Sequence, residues 1–160
     1  MAGLAFFGFR ASFGLRISGF GFRDPALAFV THRFHKHYTL EEARGLLPQI
    51  RQWLKRIVQF RQELGKLEKR LSALSAMGCD LGGSVVNGWV RAIAEVQDVL
   101  MEFHRREIQL KDLDRGLIDF PSILGDKEVF LCWEEDEEDI EFWHDLDAGY
   151  SGRERLSGLE

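Results

Sequence analysis

A chain of 160 residues with 45% hydrophobic and 29% charged side chains can close one hydrophobic core and is too short for two ordinary domains. That composition excludes a disordered or collagen-like polymer, and two cysteines exclude a disulfide framework or a zinc ribbon built within one chain. The net charge of −5 is unevenly spread: residues 1–37 carry five basic groups against Asp24, residues 38–125 are nearly balanced, and residues 126–160 carry thirteen acidic groups against three basic ones, which argues against a nucleic-acid partner.

In residues 1–36, Phe6, Phe7, Phe9, Phe13, Phe20 and Phe22 alternate with glycines and arginines. The charged, apolar and cleavage-site blocks of a secretory leader are missing, so this stretch is read as a disordered or non-native N-terminal extension. Residues 37–156 are read as a single domain and 157–160 as a tail. No apolar run approaches the roughly 20 residues needed to cross a bilayer. With neither a span nor a disulfide framework, a reducing cytoplasmic location is expected.

The first element starts at Thr39, which forms a capping box with Glu42. Leu40, Ala43, Leu47, Ile50, Leu54 and Ile57, then Leu64, Leu67, Leu71 and Leu74, repeat at helical spacing and predict one long amphipathic helix. Pro48 lies inside it and costs about 3 kcal/mol, so a kink, or a short first helix ending near Leu47, is the alternative. The glycines of residues 77–83 predict a loop, with Ser84 placed to cap the next helix. There Val86, Trp89, Ile93, Val96, Leu100, Phe103, Glu107 and Leu110 form a heptad seam, predicting a coiled-coil-like antiparallel hairpin. A bare two-helix hairpin covers its seam poorly, so a homodimeric four-helix arrangement is expected. Beyond Asp114, residues 117–120 and 129–133 read as two strands around a turn at 125–127, and residues 140–143 as a third. The acidic run 134–139 reads as a solvated turn and residues 149–153 as irregular. The expected fold class is α+β, mainly α: a long helical hairpin followed by a small C-terminal β-meander.

Glu107 is out of place in an apolar seam, since an unpaired buried carboxylate costs several kcal/mol, and His104 is the nearest candidate partner. If the meander folds back on the second helix, His104, Glu107, Asp119 and His144 converge as a candidate site for zinc, iron or manganese. Surface carboxylates beside arginines account for most of the same letters. Asp112, Arg115, Asp119, Trp143 and Arg153 are candidate ligand-binding residues. Cys132, inside an apolar strand, reads as a small hydrophobe. Phosphate loops, nucleophile elbows and dinucleotide fingerprints are missing from the sequence.

The stretches Tyr38-Thr39-Leu40-Glu41-Glu42-Ala43-Arg44, Lys111-Asp112-Leu113-Asp114-Arg115-Gly116-Leu117-Ile118-Asp119-Phe120-Pro121 and Trp143-His144-Asp145-Leu146-Asp147-Ala148-Gly149-Tyr150-Ser151-Gly152-Arg153 resemble the bacterial domain of unknown function family 2203. The resemblance covers roughly residues 37–156 and implies no activity. It concentrates family character in polar motifs that packing does not demand.

Three readings of function follow. The leading one is a self-associating binding or interaction module with a polar C-terminal pocket. The second is a metal-dependent enzyme that uses a divalent ion at a His/carboxylate site. The third makes the hairpin a docking surface whose acidic end steers a basic protein partner.

Overall fold

The computed structural model describes residues 32–157. Helix α1 runs Leu40–Ala76 without interruption through Pro48, so the short-first-helix alternative does not apply. It begins at the predicted capping box: the Thr39 hydroxyl accepts from the Glu42 N–H at 3.2 Å, and the Glu42 carboxylate accepts from the Thr39 N–H at 2.9 Å. Ala43, Leu47, Ile50, Trp53, Leu54 and Ile57 form its buried stripe. Beyond Ile57 no α1 residue is fully buried, and Leu64, Leu67, Leu71 and Leu74 are half-buried against the second helix.

Helix α2 runs Ser84–Arg105. Ser84 does not cap it: Gly83, at φ +81°, holds the N-cap position without a side-chain hydrogen bond. The glycine supplies a left-handed turn that a serine adopts only at a cost, so the helix opens one residue earlier than expected. The buried residues of α2 are Val85, Ala92, Val99 and Phe103, which shifts half of the predicted seam by one position. The helix also ends sooner. Glu107 takes φ +57°, and the chain turns there into strand β1, Gln109–Asp112, so Glu107 and Leu110 lie outside the seam. The Tyr38 hydroxyl donates to the Arg106 carbonyl at 2.8 Å, satisfying a group at this helix end. Burial pushes that phenol up to about 12.

Strands β2 (Leu117–Leu124), β3 (Lys127–Trp133), β4 (Phe142–Asp145) and β5 (Glu154–Arg155) complete one antiparallel sheet in the order β1-β2-β3-β4-β5. Helix and meander thus follow the expected class, with two edge strands, β1 and β5, that were not anticipated. Residues 149–153, expected to be irregular, hold a short 3-10 turn at Tyr150–Gly152 before β5. Side chains alternate across the sheet. Ile118 opposite Trp133 and Phe120 opposite Leu131 face the helices and join the core with Ile50, Leu54 and Phe103. Gly116, at φ +64° in the β1–β2 turn, is held close: a Cβ there would lie 2.6 Å from the Cβ of Glu135.

The acidic run is a turn, as expected, with Glu135, Asp136 and Glu138 exposed, and its backbone is clamped. Arg51 of α1 donates to the carbonyls of Glu135 and Glu137 at 3.1 and 2.8 Å, and the Trp133 indole donates to the Glu137 carbonyl at 3.1 Å. No helix among the described residues is long and apolar enough to cross a membrane.

Candidate metal centre

The alternation that turns Ile118 and Trp133 toward the helices turns their neighbours Asp119 and Cys132 to the other face of the sheet. The two are direct cross-strand partners. On β4, His144 is paired with Phe130 and joins the same face. The residues are buried, with 2% of Asp119, 1% of His144 and none of Cys132 exposed. One donor atom from each lies within 4.8 Å of the others.

Hydrogen bonding fixes the histidine. Its Nδ1 lies 2.7 Å from the Asp145 carbonyl, which can only accept, so Nδ1 carries the proton. Nε2 lies 3.2 Å from Asp119 Oδ2. A neutral imidazole would set its lone pair against a carboxylate oxygen, so a positive species belongs on this line, either a proton or a metal ion. Among the described residues Asp119 Oδ1 has no nitrogen or oxygen hydrogen-bond partner, and the Cys132 thiol is the group close enough to share a weak hydrogen bond with this carboxylate. Lys111 Nζ stands 3.9 Å from Oδ2, beyond hydrogen-bonding distance, and caps the Phe130 ring at 4.9 Å. Burial, reinforced by the charge of Asp119, pushes the Cys132 thiol up, which disfavours a free thiolate nucleophile.

A backbone strap closes this face. The N–H groups of Arg33 and Phe34 donate to Glu128 at 2.7 and 2.9 Å, and those of His35 and Lys36 to Glu107 at 2.8 and 2.7 Å. Tyr38 N–H then donates to the Pro121 carbonyl at 2.7 Å. Phe34 packs edge-on to Phe130, which in turn lies against the His144 ring, at centroid distances of 5.3 and 5.5 Å.

Of the expected metal set, Asp119 and His144 meet. His104 is exposed on the last turn of α2, and Glu107 holds the strap. The other described cluster of three donors is His32, His37 and Glu128. There both carboxylate oxygens already accept hydrogen bonds from the strap and from His37, so the cluster serves as an anchor.

The candidate ligand-binding residues separate into three places. Asp112 accepts from the N–H groups of Asp114 and Arg115 and shapes the β1–β2 turn. Trp143 is half-buried against the core. Arg115 and Arg153 come together through acids: Arg115 forks onto Glu134 at 2.6 and 2.7 Å, and Arg153 Nη2 donates to both carboxylate oxygens of Glu137 at 2.7 and 2.8 Å. Tyr150 joins them, its hydroxyl donating to Glu134 and its ring stacked under both guanidinium groups.

Cys132 was missed. Its signal was in the turn: the pair Leu124 and Lys127 flanks a two-residue loop, and that register alone sets Asp119 opposite Cys132.

The fold is thus a helical hairpin on one face of an antiparallel meander, with Asp119, Cys132 and His144 buried on the other. Over residues 36–156 the chain matches the family model described as an uncharacterized conserved protein, DUF2203, and it belongs to that family. No curated protein and no solved structure matches the chain.

Proposed function

We propose that this protein is a transition-metal-binding domain, with an ion of the zinc class held by Asp119 Oδ, Cys132 Sγ and His144 Nε2. The observation that carries this reading is the Nε2···Oδ2 approach of 3.2 Å with the other ring nitrogen committed to the Asp145 carbonyl. A tetrahedral ion with bonds near 2.0–2.2 Å sets its nitrogen and oxygen donors about 3.4 Å apart. The carbonyl on Nδ1 is the outer partner that metal-bound imidazoles ordinarily have. A proton on the histidine, with the Cys132 thiol donating to the Asp119 carboxylate, is the metal-free alternative, and the metal content of the protein decides between the two. Three protein donors leave a fourth tetrahedral position, the arrangement metal-dependent hydrolases use.

The test is elemental analysis of the full chain purified without tag or chelator, followed by cobalt(II) substitution. Stoichiometric metal is expected, with a thiolate-to-cobalt charge-transfer band that Cys132→Ala abolishes while the far-ultraviolet dichroism is kept. A natively folded protein that retains no metal, and whose melting temperature zinc, cobalt and manganese all leave unmoved, overturns the reading.

A further inference from the structure

Helix α2 carries more apolar surface than α1 can cover. At 100° per residue, its apolar positions sweep an arc of roughly 220°, from Val99 through the buried Val85, Ala92 and Phe103 and on past Ile93, Val86 and Val90 to Met101 and Ala94. Gln97 and His104 are the polar interruptions in that arc. A single facing helix buries about half of it. Of the outer half, Val86 and Ile93 are half-buried, while Val90, Leu100 and Met101 stand open at 54%, 41% and 46% exposed.

This outer stripe repeats at heptad spacing and is complementary to itself. Apposed antiparallel about a two-fold axis, Val90 meets Leu100 of the other copy, and Ile93 meets Gln97. On the edge of the stripe the polar residues are Arg91 and Asp98, one heptad apart. Among the described residues neither takes part in an ion pair, whereas Glu95 is paired with Arg56 of α1 and Glu102 with Arg105 and Arg106. The same two-fold axis, passing at Glu95, brings Arg91 of each copy to within one residue, about 1.5 Å of rise, of level with Asp98 of the other, within reach of the long arginine, twice.

We propose that this face of α2 docks a second copy of the chain, α2 against α2, so that two hairpins close into an antiparallel four-helix bundle. An isologous contact needs one patch that fits itself in both shape and charge, and this stripe supplies both. The distal hairpin, where α1 has no fully buried residue, gains the second layer it lacks. The inference is independent of the metal.

The experiment is sedimentation equilibrium of the full chain over a wide concentration range. A dimer is expected, and the double variant Val90→Glu, Leu100→Glu, altered only at exposed positions, should sediment as a folded monomer. Arg91→Asp and Asp98→Arg singly set like charges together at both ends of the axis and should each weaken the dimer about tenfold. The two changes combined restore opposite charges and should return the affinity to near that of the parent. A monomer at every concentration, or a dimer indifferent to these changes, overturns the proposal. So does a monomer whose residues 1–31 resist protease until Val90→Glu is introduced, since that assigns the face to the chain's own N-terminal segment.

Discussion

Arg153 binds Glu137 through one guanidinium nitrogen, Nη2, which lies 2.7 and 2.8 Å from the two carboxylate oxygens, and its guanidinium lies 4.2 Å from the centre of the Phe142 ring and 4.8 Å from that of Tyr150. With only 9% of its side chain exposed, it is the peg on which the acidic loop closes over the edge of the sheet. A lysine would keep the charge and lose the planar stacking on the two rings. Arg153→Lys is therefore expected to lower the unfolding free energy by about 1–2 kcal/mol and Arg153→Ala by about 2–4 kcal/mol, read from urea denaturation at neutral pH. A variant as stable as the parent would return Arg153 to the role of a ligand-binding residue. At this scale the sequence was informative wherever a polar residue had no packing reason to be present. Asp119, His144, Arg115 and Arg153 could be picked out in that way. Cys132 could not, because inside an apolar strand its letter is indistinguishable from a core residue until the pairing register is counted.

Among the elements, the strap and the end of α2 explain each other. The helix stops where Glu107 adopts φ +57°, a conformation ordinarily left to glycine or asparagine, and the Glu107 carboxylate is then placed to accept from His35 and Lys36 N–H. Those donors are 72 and 71 residues away in the chain, so no local pattern could have announced the stop. The capping box at Thr39 was legible for the opposite reason, since its two members are three residues apart. Half of the α2 seam was legible as well. Trp89, Val96 and Phe103 belong to both possible stripes, and only contact with α1 decides between Val85, Ala92 and Val99 on one side and Val86, Ile93 and Leu100 on the other.

The strap has its own pH dependence. Burial pushes the Glu128 carboxyl up, but hydrogen bonds from the Arg33 N–H, the His37 ring and the Phe34 N–H outweigh it and hold the group below the usual carboxylate range. A depressed folded-state value means that this contribution is fully present above the unfolded value of about 4.3 and is lost as the pH falls through the folded one. The protection of the Arg33 and Phe34 amides, measured against the intrinsic exchange rate at each pH, should therefore fall in acid. Glu128→Gln offers one acceptor oxygen to two N–H groups bound by different oxygens, so it should loosen the strap at neutral pH by about 1–2 kcal/mol. Exchange at these amides that is equal in parent and variant would show that the strap is held by Phe34 packing instead.

Over the whole described unit, charge is settled within the chain only in part. Of the acids of the C-terminal third, which suggested a steering surface for a basic partner, Glu134, Glu137, Asp139, Glu141, Asp145 and Asp147 are paired with Arg115, Arg153, Arg44, Arg155, Lys127 and Arg33, while Asp126, Glu135, Asp136, Glu138 and Glu154 make no ion pair among the described residues. Hydrophobic burial is less even. Ile50, Leu54 and Ile57 of α1 belong to the core shared with the sheet and α2, while Leu67, beside Gly88 of α2, and Leu71 lie outside that core and stay half-buried. Removing a packed side chain loses its transfer energy and leaves a cavity, so Leu54→Ala should cost about 2–5 kcal/mol. Leu67→Ala or Leu71→Ala in a monomer should cost about 1 kcal/mol, because half of that surface is already wet. The distal hairpin should accordingly exchange its amides through local opening well below the global unfolding free energy. If α2 pairs with a second copy, exchange of residues 86–101 should slow as protein concentration rises, while exchange in β2 and β3 stays constant. Uniform, concentration-independent protection along both helices would mean that the hairpin is already stabilised throughout by its own chain.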